Sequence, residues 1–286
     1  MLQTEVRPAT LYVVATPIGN LRDITLRALD ILANVDCVVA EDTRNTASLL
    51  QHHGIRGKLM SLHQHNERER AVQLIEQLSV GQSLALVSDA GTPGISDPGA
   101  ILVEAVRSAG YVVVPIPGAS ALATALSASG MQVLPFCFHG FLPVKSAARK
   151  KYLESIASQI GTLIFYEAPH RVTECIDDLA TVFGPLRNIV IARELTKLFE
   201  SIHHCSLGAA ATWLAADVNR LKGEFVLVVD GTAENVGATD AEMERVLSLL
   251  LAEELPVKQV AKLAAAISGA SKNDAYERAL ELKNSK

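Results

Sequence analysis

Ser88-Asp89-Ala90-Gly91-Thr92-Pro93-Gly94-Ile95-Ser96-Asp97-Pro98-Gly99 follows a short apolar run of strand length at 83–87 and precedes residues 100–109, whose apolar positions suit a helix. The stretch is therefore a strand-to-helix loop. Gly91, Gly94 and Gly99 let the backbone take positive φ or come close to a ligand, while Pro93 and Pro98 fix φ and remove two donors. At the carboxyl end of a parallel strand, so stiff a loop sits where open α/β sheets bind ligands. A plain surface turn uses the same residue types, so the loop alone leaves both readings open.

The flanking chain repeats the strand-then-helix pattern. Residues 11–15, 37–40, 58–62 and 111–115 read as strands. Asp23 is placed to cap a helix with Ile24, Ala28, Ile31 and Leu32 on its inner face, and Gly54 stops a second helix over 43–53. Ala71, Leu74, Ile75 and Leu78 form the apolar stripe of a third, over 67–78, with charges opposite. Such alternation predicts a mainly parallel sheet with helices on both faces. A second unit starts near 136–141. It carries strands at 162–166, 188–192 and 225–229, a segment at 199–206 that pairs beside one of them, and helices to about 160, through 182 and near 209–216, which predicts a mixed sheet. Residues 231–239 suit a linker. Beyond it lie helices over 241–253, 256–267 and 271–283, with Pro256 in a first turn, Gly269 in a short connection and Ser271 with Asp274 as a capping box, a helix-turn-helix-like arrangement. The fold class is α/β, with one α/β domain over 1–118, a second over 119–232 and a helical tail over 240–286.

A chain of 286 residues is at the upper limit for one hydrophobic core, and at 49% hydrophobic residues it can bury two of moderate size. The longest apolar runs are far too short to cross a bilayer, and no basic start precedes an apolar stretch, so a cytoplasmic protein without membrane association is expected. Cys37, Cys137, Cys175 and Cys205 include no Cys-x-x-Cys pair and read as buried free thiols; no metal site is expected. A formal net charge of −5 argues mildly against indiscriminate nucleic-acid binding but leaves room for a local basic face.

Six motifs recur in one order: Ala15-Thr16-Pro17-Ile18-Gly19-Asn20-Leu21, Glu41-Asp42-Thr43-Arg44, the 88–99 loop, Pro117-Gly118-Ala119-Ser120-Ala121, Phe165-Tyr166-Glu167-Ala168-Pro169-His170-Arg171 and Ala192-Arg193-Glu194-Leu195-Thr196-Lys197. With them the chain resembles the tetrapyrrole methylase superfamily from residue 11 to about 230, and within it the branch that methylates the ribose 2′-oxygen of a cytidine in small-subunit (16S) ribosomal RNA. The resemblance implies two α/β domains with S-adenosylmethionine in the cleft between them, a homodimer, and small-subunit RNA, within the assembled 30S particle, as partner. It implies that Ser88, Asp89, Ala90, Gly91, Thr92, Gly94 and Ile95 wrap the methionine and ribose part of the cofactor, with Asp89 orienting it. Ser120 and Ala121 would support it, and Phe165, Tyr166, Gly223 and Glu224 would reach it from the second domain. Members acting on tetrapyrroles carry a Gly-x-Gly-Pro-Gly first loop. Ala15-Thr16-Pro17-Ile18-Gly19 departs from that pattern, which assigns this loop to substrate approach, with Pro17 touching the cofactor.

Transfer of a methyl group to a sugar hydroxyl calls for an acceptor near the nucleophile. Of the strand-end acceptors Glu41, Asp42, Asp89, Glu167, His170 and Glu194, the candidates for that role are Glu167 and Glu41. Each acid also has a plain structural reading as an ion-pair partner: Asp42 with Arg44, Glu167 with Arg171, Glu194 with Arg193 or Lys197. RNA phosphates are assigned to Arg22, Arg44, Lys145, Arg149, Lys150, Lys151, His170, Arg171, Arg193 and Lys197. Lys258, Lys262, Lys272, Arg278 and Lys283 of the tail suit either a grip on RNA or an accessory helical cap. Three other readings compete: a small-molecule methyltransferase of the tetrapyrrole type, a cofactor-sensing RNA-binding module without turnover, and a serine hydrolase. The last is weakened because Gly118-Ala119-Ser120-Ala121-Leu122 lacks the second glycine of a nucleophile elbow.

Overall fold

A computed structural model describes residues 5–131, 135–232, 236–253 and 255–284. Its contacts cluster into two compact units, Met1–Gly231 and Thr232–Lys286. No helix among the described residues is long and apolar enough to cross a membrane. All four cysteines are free thiols, Cys37 and Cys175 buried and Cys137 and Cys205 partly so.

The larger unit holds two sheets. The first is wholly parallel, built from β1 (Thr10–Val14), β2 (Cys37–Ala40), β3 (Leu59–Ser61), β4 (Leu84–Val87) and β5 (Val112–Ile116) in the order β3-β2-β4-β1-β5. Its central strands are buried on both faces because helices cover both. Ala28, Ile31 and Leu32 of α1 (Leu26–Asn34) and Leu50 of α2 (Thr43–His52) pack on one side. Leu74 and Leu78 of α3 (Glu67–Ser79) and Leu102 and Val106 of α4 (Ala100–Ser108) pack on the other.

The second sheet is mixed, as the strand pairs predict, with β6 (Phe136–Phe141), β7 (Thr162–Glu167), β8 (Asn188–Arg193), β9 (Ser201–Ser206) and β10 (Phe225–Val229) in the order β6-β7-β10-β8-β9. Only β6 and β7 run parallel; the remaining pairs are antiparallel. One face is covered by α6 (Ser146–Ile156), α7 (Val172–Phe183) and α8 (Leu207–Ala215). On the other face α5 (Ala121–Ala128) lays Ala125 and Leu126, joined by Ile18 from the loop after β1 and Leu195 from the loop after β8. That face therefore meets the carboxyl-end loops of the first sheet. The two lie close at Gly19, where a Cβ would meet Lys197 Cγ, Thr196 Oγ1 and Leu195 O at 2.5–2.9 Å.

Several local expectations change. Thr25, not Asp23, caps α1, its hydroxyl accepting the Ala28 N–H at 3.1 Å; Asp23 instead closes a single 3-10 turn that starts at the Asn20 cap. Glu67 is not on a solvated face. Its carboxylate is buried and one oxygen accepts the N–H groups of Gly99, Ile101 and Leu102 at 2.9–3.1 Å, serving the start of α4 where Gly99 has no side chain to cap with. Gly99 itself has φ 133°, and a Cβ there would meet Leu86 Cδ2 at 2.8 Å. Charge-assisted bonds of this kind contribute about 1.5–3 kcal/mol each at most, and less when they share an acceptor. Glu67→Ala is expected to lower stability by a few kcal/mol and to strip hydrogen-exchange protection from the Gly99, Ile101 and Leu102 amides first. Protection unchanged at those three amides would contradict the assignment.

The smaller unit contains α9 (Val236–Ala252), α10 (Val257–Ser268) and α11 (Lys272–Asn284) around a core of Leu247, Val260, Ala264, Ala275 and Ala279. α9 starts earlier than its apolar pattern indicates, so 236–239 are helical rather than linker, and 233–235 lie outside the described residues. Pro256 is the residue before α10, not within its first turn, and Gly269 ends that helix at φ 74°. The Asp274 N–H donates to Ser271 Oγ at 3.1 Å, one half of the expected capping box.

Candidate active site

Loops from the adjacent strands β4, β1 and β5 gather above the first sheet and are tied together by backbone. Thr16 and Gly91 exchange two N–H···O bonds of 2.8 and 3.0 Å, Thr16 Oγ1 donates to Ser88 O at 3.1 Å, and Thr92 Oγ1 donates to Ala119 O at 3.2 Å. Over this platform opens a cleft of about 390 Å³, within the range of small-molecule sites. The loops supply Ile18, Ala90, Gly91, Thr92, Ile95, Ser96, Asp97, Ser120 and Ala121. The second sheet supplies Phe141, Tyr166, Glu167, Ala168, Pro169, Leu195, Glu224, Phe225 and Val226. Ser96 holds φ 66°, a left-handed conformation costly for a residue with a side chain, immediately before Asp97.

Polar groups in the cleft are few. Burial and the neighbouring carboxylates of Glu41 and Asp89 push the Asp97 carboxyl up to about 6, against the opposing pull of a Ser88 hydrogen bond. Burial, then Asp89, also raises Glu41. Tyr166, raised by burial, accepts the Leu122 N–H on its hydroxyl at 3.1 Å and packs edge-on against Phe138 and Phe141. Glu167 ends β7 almost fully buried. Its Oε1 accepts the Ala168 N–H at 2.8 Å and lies 3.2 Å from Arg171 Nε, and the carboxylate also takes a hydrogen bond from the Cys175 thiol, which burial and then this carboxylate keep protonated. At the rim, Lys197 Nζ bridges Glu194 and Glu224 at 2.8 and 2.9 Å; burial raises the Glu194 carboxyl, but this ammonium and the Glu224 N–H outweigh it and hold the group below its ordinary value.

The cleft brings together Ala90, Gly91, Thr92, Ile95, Ser120, Ala121, Tyr166, Glu224 and Glu167 from the expected set. It leaves others out. Phe165 faces the opposite core, stacked on His139, because its neighbour Tyr166 faces the cleft and adjacent strand residues point to opposite faces. Asp89 turns away to accept the Asp42 N–H and the Asn45 side-chain amide, at 3.0 and 2.9 Å. Gly94 borders a separate groove beside α4, and Pro17, Ser88 and Gly223 are not among the residues that line the cleft. Glu41 follows β2, one strand beyond the three whose loops form the platform, and stands near Asp97 without lining the cleft. Sequence reasoning missed Asp97, the second aspartate of the same loop, and Phe141, an aromatic 54% exposed at the carboxyl end of β6. Phe141 meets Tyr166 only through the pairing of β6 with β7, a tertiary contact with no local signal.

The basic residues divide in the same way. Arg149 is wholly buried, with Nε 2.7 Å from Asp178 Oδ2 and Nη1 donating to Val144 O, so it is a core cation rather than a phosphate contact. Arg171 is engaged by Glu167 and by Leu142 O, and Arg193 spends its guanidinium on Ser201, Asn219, Lys222 and Phe199. Lys150 reaches Asp178 at 3.3 Å. Arg22, Lys145, Lys151 and His170 are exposed, as is Arg44, whose hydrogen bonds hold the Asp42 carboxyl down at about 2. The ion-pair readings of Asp42, Glu167 and Glu194 are thus met by Arg44, Arg171 and Lys197. The Ser120 hydroxyl accepts the Ala123 N–H at the start of α5, the work of a cap rather than a nucleophile.

The profile of the tetrapyrrole (corrin/porphyrin) methylases matches residues 10–211, which contain every loop of the cleft except the start of β10. The chain belongs to the tetrapyrrole methylase family. A second profile, the RsmI C-terminal HTH domain, matches residues 237–283. The methylase is 51% identical over 271 residues to ribosomal RNA small subunit methyltransferase I of Escherichia coli O157:H7, covering 95% of this chain and 94% of that one. It is 52% identical over 269 residues to the protein of that name from Xylella fastidiosa, covering 94% and 98%. Among solved structures, the methyltransferase CobJ has a TM-score of 0.59 at 22% identity, covering 79% of this chain and 96% of that one. Diphthine synthase has a TM-score of 0.59 at 18%, covering 78% and 90%. At those identities the likeness is one of fold. The family's methyl donor, S-adenosylmethionine, suits this cleft, which pairs apolar walls with the carboxylates of Asp97 and Glu224.

Proposed function

We propose that this methylase transfers a methyl group from S-adenosylmethionine to the ribose 2′-hydroxyl of a cytidine in small-subunit ribosomal RNA. What carries the reading is 51% identity across 95% of the chain to a relative named for methylation of that RNA. The ribose oxygen and the cytidine rest on the motif resemblance.

When bound, the donor supplies an electrophilic methyl carbon on a sulfonium. Ile95, Phe141, Tyr166 and Val226 would enclose it and exclude water, and Thr92, Ser120 and Ala121 would bear on it from the platform. Asp97, rather than Asp89, offers a charge complementary to the donor's cationic groups. Glu167, at the end of β7, is assigned the acceptor role for the ribose hydroxyl, which requires its carboxylate to exchange the Cys175 thiol for that hydroxyl while the guanidinium of Arg171 holds it. Holding the hydroxyl oxygen about 3 Å from the methyl carbon contributes several kcal/mol through positioning alone. Arg22, Arg44, Lys145, Lys151 and His170 remain to meet phosphates.

Asp97 gives the donor site a pH signature. A carboxyl raised to about 6 must lose its proton to receive a cation. Donor affinity is therefore expected to weaken as pH falls through about 6, approaching tenfold per pH unit well below that value. Asp97→Asn should bind the donor more weakly at pH 7.5 and flatten this dependence. A wild-type affinity constant from pH 7.5 to 5 would contradict the role.

The function is tested by incubating the protein and labelled S-adenosylmethionine with transcribed small-subunit RNA, with small subunits lacking the mark, or with a porphyrinoid. Label is expected in RNA, in a dinucleotide resistant to alkali, because a methylated 2′-oxygen cannot attack the adjacent phosphodiester. Label in the porphyrinoid, or on a base, would overturn the reading. We further propose that assembled 30S particles are the better substrate, that the enzyme works as a homodimer, and that it acts in the cytoplasm; subunit-versus-naked-RNA rates and sedimentation test the first two.

A further inference from the structure

The helical unit carries a groove of about 310 Å³ between α10 and α11, lined by Lys258, Ala261, Lys262, Lys272, Asn273 and Tyr276. We infer that this groove is a second RNA-binding site, in which Lys258, Lys262 and Lys272 hold successive phosphates of a single strand while an unstacked base lies against Tyr276. The choice of RNA rests on the function proposed above; the groove's chemistry stands on its own observations.

Lys258 and Lys262 are four residues apart on α10 and so share a face, and α10 contains no acidic residue at all. On α11, Lys272, Tyr276 and Lys283 fall within a stripe about 40° wide, while Asp274, Glu277 and Glu281 fall on the far side, since each residue advances about 100°. The charges of the hairpin are thus sorted, basic toward the groove. Among the described residues none of the three groove ammonium groups is paired with a carboxylate. Arg278, by contrast, is held by Glu244 and Glu281 at 2.8 and 2.6 Å. Lys272 also stands at the positive end of the α11 dipole, which adds to the field an anion would meet. Tyr276 is 36% exposed, so one ring face is open for stacking without loss of core. Lysines clustered round an accessible ring are the elements of single-strand recognition: charge for the backbone, a π-face for the base. An acidic peptide would use the ammonium groups but has no call on the ring.

The test uses the full chain and a fluorescent single-stranded RNA dodecamer, with affinity read by anisotropy across a salt series. The triple variant Lys258→Gln, Lys262→Gln, Lys272→Gln is expected to bind at least about tenfold more weakly at low salt and to lose about 2 from the salt slope, at about 0.7 per single-strand phosphate. Tyr276→Ala should weaken binding by about tenfold, whereas Tyr276→Phe should retain it. All of these side chains are exposed, and unchanged thermal melts separate lost contacts from lost folding. A charge-matched control, Arg27→Gln, Arg68→Gln, Arg107→Gln, is expected to bind like the wild type. An equal loss in the control, an unchanged slope in the lysine variant, or equally tight binding of duplex DNA that depends on the same lysines would overturn the proposal. If the protein binds the dodecamer in this way but methylates no RNA, the proposed function fails and the groove stands.

Discussion

Glu167→Gln is expected to slow methyl transfer about a hundredfold or more while S-adenosylmethionine binds as before, because it removes an acceptor acting on the nucleophile and not on the donor. The side chain is almost fully buried at the end of β7, where Oε1 takes the Ala168 N–H at 2.8 Å and faces Arg171 at 3.2 Å. The residue lines the cleft, and its carboxylate also takes a hydrogen bond from the Cys175 thiol. A thiol is a weak donor, so a ribose hydroxyl competes well for that carboxylate. Gln preserves the shape, and Arg171 keeps its bond to Leu142 O, so folding should survive. Glu167→Ala should cut transfer as well, with more loss of stability. Single-turnover rates with calorimetric donor affinity make the measurement. Unaltered turnover would remove Glu167 from the chemistry, and a large loss of donor affinity would move it to the donor site.

The second large effect is on stability. Arg149 has no exposed surface, and its guanidinium is held by Asp178 at 2.7 Å and by the Val144 carbonyl at 3.2 Å; Asp178 also accepts Ser146 Oγ at 3.0 Å and faces Lys150 at 3.3 Å. Removing one partner of a buried pair strands the other. Asp178→Ala is therefore expected to cost about 3–5 kcal/mol, which lowers the melting temperature by about 10 °C for a unit of this size. Replacing both residues with leucine should recover much of the loss, since the desolvation penalty goes with the charges. Burial raises the Asp178 carboxyl, but the Arg149, Ser146 and Lys150 hydrogen bonds outweigh it and leave it below its ordinary value. Its contribution is thus full above the unfolded carboxyl range and is lost as pH falls through the folded value. Asp178→Asn should flatten that acid limb. A melting temperature within a degree or two of wild type in Asp178→Ala would show that the pair is not structural.

How far the sequence could be read depended on whether local pattern or tertiary contact decides. The alternation of apolar runs with helical stripes is local, and it located the parallel sheet and the mixed one. So was the 88–99 loop, where proline and glycine dictate backbone shape. Side-chain direction was legible only in part. Phe165 and Tyr166 cannot both face one cleft, a parity that was available from the strand itself. Arg149 sits in a basic run, yet it shares the inner face of α6 with Leu153 and Ile156 at i+4 and i+7, which marked it as inward. Choosing Asp97 over Asp89 was beyond local reasoning, because Asp89 is drawn off by the Asp42 N–H and by Asn45, 47 and 44 residues away in sequence. Glu67 likewise looks like an ordinary surface glutamate until α4 starts against it, 32 residues later.

A crystal of the protein soaked with S-adenosylmethionine bears most directly on the claim that the 390 Å³ cleft holds the methyl donor. The donor should lie against Ile95, Tyr166 and Val226, with its cationic end toward Asp97 and its methyl carbon facing Glu167. Donor density elsewhere on the protein with this cleft vacant would contradict the account.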